Sequence, residues 1–355
     1  MNINRQELID SLEIVEHALG DNNDPNEQSR MERQSFRFNG TTIYATNGRM
    51  AVETLLPFDV GAQCCVHGKS LLNFLRSLGS DSVSIEFGKK QLTVSASGVE
   101  GKFVTSPYKE YEHIINKYKK PTALKNQVNE ILSGMENCKK FVSKDKTLGS
   151  LCGVKIDKNF IIASDRTRII KYEVPSVITE CVIPTAFIDV LLKYKDDIRD
   201  IQMNDMGLLG FFGDSAIATA IYGDGYPDLN KYFPKDEANS IRIIFEKPDE
   251  FKKALGRHIA LLKDVDLSEK DTCIEISNKI CKLTTTSKSI GTIKESFEIE
   301  KTAINTTVKF YVDPLLLKQS IGNCSGFAFY LETKLILFVD ENLKCLLQTR
   351  RPVTT

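Results

Sequence analysis

The chain has no tryptophan and only four histidines, and it carries none of the short motifs that mark an active site. His17, His67, His113 and His258 lie far apart in sequence, and Gly-x-Ser-x-Gly, His-Glu-x-x-His and Cys-x-x-Cys are all missing. Gly207-Leu208-Leu209-Gly210 supplies glycines without the lysine of a phosphate loop. These absences argue against nucleophilic, zinc-dependent and nucleotide-hydrolysing enzymes, and a non-catalytic protein without cofactor or metal is expected. No apolar run approaches the ~20 residues that span a bilayer, and the N-terminus has no secretory core. A cytoplasmic protein with no membrane partner is therefore expected. An excess of either charge is lacking too: 47 basic residues balance 47 acidic ones. A domain coated in nucleic acid is strongly basic. Balance excludes that class but leaves room for a local basic surface.

Nine cysteines are scattered along the 355 residues, with one vicinal pair at Cys64-Cys65. Neighbours on a strand point to opposite faces, so this pair is a poor chelator. Buried, reduced thiols are expected.

What the chain does have is repetition. Cys65-Val66-His67 leads into Leu71, Leu72, Phe74, Leu75 and Leu78. Cys181-Val182-Ile183 leads into Phe187, Ile188, Val190 and Leu191, and Phe310-Tyr311-Val312 leads into Leu315, Leu316, Leu317 and Ile321. Each is a short apolar strand followed by an amphipathic helix. The spacing is close to one third of the chain, a domain-sized length rather than a solenoid unit. A second echo supports the first: Ala45-Thr46-Asn47-Gly48-Arg49-Met50 returns as Ala163-Ser164-Asp165-Arg166-Thr167-Arg168. Three similar domains are predicted, spanning 1–119, 120–237 and 238–355.

Apolar spacing predicts a helix over 5–19 from Leu8, Leu12, Val15 and Leu19, then 69–78, 124–142, 185–194, 249–263 and 314–321. Strand-like runs separated by short turns lie between them, including Asn39-Gly40, a hairpin signal. One such run covers 151–156, and 20–26 reads as a polar loop. Lys117-Tyr118-Lys119-Lys120-Pro121 reads as a linker. Short strand-to-strand turns favour antiparallel sheets, so the predicted class is α+β.

The helices leave basic or polar residues off their apolar stripes: Lys69, Asn73 and Arg76; Lys140; Lys193; Lys253 and Arg257. Such surfaces suit sequence-independent phosphate contact or are ordinary solvated faces. The first helix instead presents Gln6, Asp10 and Glu13. His258 is either functional or a packing histidine. Asp224 and Asp228 lack the further ligands of a calcium loop and read as a turn. Asp165 with those two aspartates would make a metal-dependent phosphoesterase only by converging on one ion.

Four stretches, in order, carry a resemblance over essentially the whole length. They are Leu151-Cys152-Gly153-Val154; Ile162-Ala163-Ser164-Asp165-Arg166-Thr167-Arg168-Ile169; Val182-Ile183-Pro184; and Gly225-Tyr226-Pro227-Asp228-Leu229-Asn230-Lys231-Tyr232-Phe233-Pro234. With the repeats, they make the chain resemble the bacterial DNA sliding clamp, the beta subunit of DNA polymerase III, as a divergent bacterial or phage-encoded member.

The resemblance implies a head-to-tail homodimeric ring. Each of its three domains has two inner helices and outer antiparallel sheets, and the ring encircles duplex DNA. It implies a polymerase catalytic subunit and a clamp loader as partners. Phe103 and Thr105 would meet Ala260 and Leu261 across the dimer. A partner peptide would dock at Leu151, Ser164, Arg166, Arg168, Ile169, Pro227, Tyr232, Leu346 and Gln348. Arg166-Thr167 stands where the family has Gly-His, and the end of the chain is polar, so a more basic cleft is expected. The alternative is a clamp-fold regulator or decoy that binds replication proteins without loading on DNA.

Overall fold

A single element plan, strand, helix, three strands, strand, helix, three strands, runs through the chain three times. The computed structural model describes all residues except 21–25, 108–121, 124–126, 176–179, 205–206, 224, 236–239, 264–270, 278, 302–306 and 351–355. The first pass is β1 (Asn2–Asn4), α1 (Arg5–Glu16), an added α2 (Glu27–Arg33), β2 (Ser35–Asn39), β3 (Thr42–Thr46), β4 (Met50–Leu55), β5 (Gln63–His67), α3 (Gly68–Ser77), β6 (Ser82–Phe87), β7 (Gln91–Ala96) and β8 (Val99–Pro107). The second is β9 (Thr122–Ala123), α4 (Val128–Cys138), β10 (Gly153–Asp157), β11 (Phe160–Ser164), β12 (Arg168–Glu173), β13 (Cys181–Pro184), α5 (Thr185–Lys193), β14 (Ile198–Asn204), β15 (Gly207–Phe212) and β16 (Ser215–Ala220). The third is β17 (Ser240–Phe245), α6 (Pro248–Leu261), β18 (Thr272–Ser277), β19 (Ile280–Ser287), β20 (Gly291–Lys301), β21 (Val308–Val312), α7 (Pro314–Ile321), β22 (Gly326–Tyr330), β23 (Leu335–Asp340) and β24 (Leu343–Gln348).

Local chemistry sets the helix starts. The Asn4 side chain accepts from the Gln6 and Glu7 amides, and Asp313 caps α7 in the same way ahead of Pro314. Leu8, Leu12 and Val15 of α1 are buried, as are Leu71, Leu72 and Leu75 of α3. Each stripe packs on its sheet, which is where most helical stability in a protein arises.

The chain divides into two compact units, 1–133 with 177–223, and 134–176 with 224–355. The pairing that builds them explains why they cut the middle third. In the first unit the sheet runs β1-β6-β7-β8-β5-β2-β3-β4-β16-β15-β14-β9, and β4 joins the middle third through β16, with Val52 opposite Ile217. In the second unit the order is β10-β11-β12-β24-β23-β22-β17-β20-β19-β18-β21, and β12 joins β24 with Ile169 opposite Leu346. Each junction sets the third strand after a first helix against the last strand of the following third. The strand ahead of each second helix also meets a residue near or beyond the end of the last strand of its own third: Val66 pairs Thr105, Val182 pairs Tyr222 and Tyr311 pairs Arg350.

By the same rule the part of β20 over 291–298 and the first half of β8 each keep an edge on which no strand lies among the described residues. Val104 of β8 is 83% exposed.

Several expectations need correction. Residues 151–152 are not strand: 3-10 turns over Lys146–Cys152, kinked at Gly149, precede β10. The 124–142 helix ends at Cys138 and tightens into 3-10 at Lys139–Phe141, because Phe141 turns inward to a buried position. Part of the loop read over 20–26 leads into the unexpected α2. The basic run at 117–121, His113, Asp224 and the borders at 119 and 237 lie outside the described residues. All nine cysteines are free thiols. Burial pushes Cys64, Cys181 and Cys345 up to about 12, so none is a ready thiolate.

Candidate nucleic-acid and partner-binding surfaces

The turn between β11 and β12 is built by its own side chains. Asp165 Oδ1 accepts from the Thr167 amide at 3.0 Å, the Thr167 hydroxyl at 2.6 Å and the Arg168 amide at 3.1 Å. Ser164 Oγ donates to the Arg168 carbonyl and accepts from the Arg166 amide. The first third makes the same turn: Thr46 Oγ1 donates to the Met50 carbonyl and accepts from Gly48, while Asn47 Oδ1 accepts from Arg49 and Met50. The sequence echo is therefore one folded device used twice. Its third position needs a left-handed backbone, φ 87° at Gly48 and 77° at Arg166. Glycine adopts it freely and arginine does so at a cost of about 1 kcal/mol. Asp165 is committed to this turn through Oδ1 and to Arg168 through Oδ2. Among the described residues no group of three His, Cys, Asp or Glu could hold one.

Arg168 is the hub of this surface. Its side chain is 6% exposed. Nε donates to Asp165 Oδ2 at 2.8 Å, Nη1 to Gln319 Oε1 at 2.6 Å and Nη2 to the Lys140 carbonyl at 2.9 Å. The guanidinium lies 4.3 Å from the Phe141 ring centre. It is thus turned inward, and Arg166 alone of the two arginines is exposed.

Around this turn the residues proposed from sequence for a partner cleft come together. Ile169 and Leu346 are cross-strand partners, Gln348 stands opposite Leu335, and the Gln348 amide donates to Thr167. Lys171 Nζ donates to Asn230 at 3.1 Å, tethering the turn that carries Tyr232, which is 51% exposed. Ser150 Oγ donates to the Gly225 carbonyl and links half-buried Leu151 to the segment bearing exposed Pro227. Tyr226 donates its hydroxyl to the Ile162 carbonyl, and burial pushes its phenol up.

Sequence reasoning missed five apolar members, Ala328 among them. Phe233, Leu335, Leu337 and Tyr330 pack with Ile169 and Leu346 in one cluster. The basic surface expected here has an apolar floor, supplied by β22 and β23 rather than by the chain end. Leu335-Ile336-Leu337-Phe338 is apolar on both faces of a strand, which marks a buried strand and not a binding surface.

The helix bases differ in how far they are engaged. In the first unit, Lys69 and Asn73 are exposed, whereas Arg76 pairs with Glu13 at 2.8 Å and Glu16 at 3.2 Å of the adjacent α1. The acidic face of α1 is thereby countered. Lys193 Nζ lies 3.0 Å from His17 Nε2. In the second unit, Lys140 and Lys253 are exposed, while Arg257 donates to Glu295 through both Nε and Nη2. At the proposed dimer residues, Phe103 is half-buried edge-on to Phe74 at 5.4 Å, and Thr105 sits where β8 leaves β7 for β5. Ala260 is exposed and Leu261 half-buried at the end of α6.

His258 belongs to the core, with its Nδ1 2.6 Å from Thr285 Oγ1 and its Nε2 3.5 Å from Glu295. Burial holds both His258 and His17 below the usual 6.5. Glu295 opposes this at His258 and Arg257 adds to it; at His17, Lys193 adds to it, and Glu16 and Glu13 oppose it. Both folded values are depressed, so the unfolded chain binds more protons in this range. The stability these groups contribute is complete above about pH 6.5 and is lost as pH falls through the folded values. Urea denaturation is expected to show a lower midpoint at pH 5.5 than at 7.5, with a smaller difference in His258→Gln. Equal differences in the two proteins would remove His258 from this account.

A scan of protein-family models finds no match to this sequence, and a search of curated proteins finds none. Solved structures do match. The chain is similar to the DNA polymerase III beta chain of Streptococcus pneumoniae, with TM-score 0.82 and 15% identity over 99% of both chains. It is similar to the sliding clamp of Bacillus subtilis, with TM-score 0.82 and 15% identity over 99% of this chain and 98% of that one. The beta sliding clamp of C. crescentus gives 0.81 and 16% over the same shares. From end to end, the chain has the fold of the bacterial DNA sliding clamps.

Proposed function

We propose that the chain is a DNA polymerase processivity factor, a sliding clamp rather than an enzyme. The carrying observation is the whole-length likeness to clamp structures, 99% of this chain at TM-score 0.82. Its three domains are 1–119, 120–237 and 238–355. Two copies join head to tail, the open edge of β8 in one chain against the open edge of β20 in the other, with Phe103 and Thr105 near Ala260 and Leu261 of α6. The β4–β16 and β12–β24 junctions support this, because the same kind of edge pairing would then recur at every domain boundary. A two-fold dimer makes that contact twice and leaves neither edge exposed.

The closed ring encircles duplex DNA without regard to sequence. Lys69, Asn73, Arg76, Lys140, Lys193, Lys253 and Arg257 line the DNA side. A clamp loader places the ring on DNA, and the cleft around Ile169 and Leu346 tethers the polymerase catalytic subunit. Holding DNA by topology needs little net charge, in keeping with the balance of 47 against 47. Among the described residues no helix is long and apolar enough to cross a membrane.

Light scattering and negative-stain microscopy at micromolar concentration test the ring. Twice the 39.9 kDa chain mass and six-lobed rings are expected, and Leu261→Glu should shift the mass to one chain. After loading on nicked circular DNA, the protein should be retained until the circle is cut. Equal retention on cut and uncut DNA at moderate salt would sink topological binding. Crescents at single-chain mass in the wild type would sink self-closure.

A further inference from the structure

The sheet face beside the cleft carries more apolar surface than the cleft itself uses. Register lines side chains up in rows across a sheet. Ile169 stands opposite Leu346, Leu346 opposite Leu337, Leu337 opposite Ala328, and Ala328 opposite Arg242. Opposed residues share a face. This row therefore crosses from β12 over β24, β23 and β22 to β17, and its buried counterparts Ile170, Cys345, Phe338, Phe329 and Ile243 form the core beneath. The first members join the Phe233 and Tyr330 cluster. Beyond them lies a groove of about 320 Å³ bordered by Leu337, Ala328, Ile244, Arg242 and the half-exposed Val339. Gly326, opposite Ile244, also borders the trough.

The charges along this row are mostly basic. Arg166 is exposed at its start, Lys171 and Lys344 stand opposite each other alongside, and Arg242 is exposed at the far end. Carboxylates stand among them as well: Glu173 lies 3.7 Å from Lys344, Asp157 acts on Lys171 and Asp145 feels Arg166. Lys171 lies over the Phe160 ring at 4.0 Å, a cation resting on the apolar floor. An apolar row flanked and ended by bases matches an extended segment in which apolar side chains adjoin carboxylates.

We infer that the partner segment does not stop at Ile169 and Leu346 but continues across the sheet to β17, with acidic residues against Arg242. This rests on reading the cleft as the tethering site. Four strand spacings of about 4.8 Å make about 19 Å, which an extended peptide covers in about six residues. The segment is thus an acidic, apolar stretch of about eight to ten residues from a partner protein.

Fluorescence anisotropy on the full chain tests the inference. The labelled decapeptide probes share one apolar core of leucine and phenylalanine residues. One carries Asp-Glu after the core, one carries Asp-Glu before it, one carries serines instead, and one carries lysines. One acidic probe is expected to bind about fivefold tighter than the serine probe, and the lysine probe more weakly. The gap should close near 0.5 M salt. Arg242→Ser should abolish the acidic preference while leaving the serine probe unchanged. Equal binding of acidic and serine probes, or an acidic preference that survives Arg242→Ser, overturns the extension and leaves the cleft standing. Loss of every probe in Ile169→Asp is the sign that the cleft is engaged. If no probe binds the wild type, or Ile169→Asp binds as well as wild type, the cleft reading falls and this inference with it. A concentration-dependent rise in mass without probe, removed by Ala328→Glu, would assign the face to a second copy and also overturn it.

Discussion

Gly326→Ala is expected to destabilise the chain by about 3 kcal/mol or more, lowering its melting temperature by about 4 °C or more. Gly326 opens β22 opposite Ile244 of β17, and next to it the Phe245 amide donates to the Ser325 carbonyl at 3.1 Å. A Cβ there would fall on the Ile243 carbonyl oxygen and within 2.9 Å of the Ile243 carbonyl carbon and the Ile244 Cα. All three are backbone atoms, so no rotamer change relieves the clash. The strands must separate, and β17 also carries the bulged junction to β20 at Ile244 and Phe245. Gly256→Ala is the matched control. Its Cβ would meet only the flexible end of Lys318 at 3.1 Å, inside helix α6, where alanine is the better helix former by about 1 kcal/mol. Thermal denaturation of the two variants beside wild type decides the matter. If G326A melts with wild type, β22 and β17 are not as close as described, and the groove beside Arg242 loses its shape.

The repeat plan was legible because it is written in local periodicity. Leu8, Leu12 and Val15, or Phe251 and Leu255, mark a buried stripe wherever the helix packs. Helix α2 was not legible, since its only large apolar residue, Met31, is exposed and leaves no stripe to detect. The division into two units was also hidden. It follows from β4 meeting β16 and β12 meeting β24, pairings between strands far apart in sequence that no window of neighbouring residues reveals. The turn at Ser164–Arg168 could be found, because its side chains build it from within and the first third repeats it. Leu335 and Leu337 could not be assigned to a surface, because an apolar strand residue reads as core whichever face it occupies. Charges misled for a related reason. Arg76 and Arg257 sit off their helix stripes, yet their carboxylates, Glu13 and Glu295, lie 63 and 38 residues away, on other elements.

Arg168→Met is expected to cost about 3 kcal/mol, at the low end for a broken buried ion pair because Asp165 keeps some solvent contact. Methionine fills much of the volume but removes the donors to Asp165, Gln319 and the Lys140 carbonyl, and the cation over Phe141. The larger part of the loss is the carboxylate left behind, since Asp165 Oδ2 is deprived of its partner while Oδ1 still holds the turn. Asp165→Asn in the same chain should therefore recover part of the stability. The double-mutant cycle should give a coupling of about 1–3 kcal/mol. Arg168→Lys should recover little, because a point charge cannot reach three acceptors that need a planar fork. The functional reading gives a second, independent measure. Arg168 is turned away from the exposed face, so it would act on a docked segment only by holding Ile169 and the turn in place. The serine-tailed probe should then bind R168M more weakly even at temperatures well below its melting point. If R168M unfolds within 0.5 kcal/mol of wild type, the hub is not a structural one. If it is destabilised but binds the probe normally, the stability of the turn and the shape of the cleft are independent of each other.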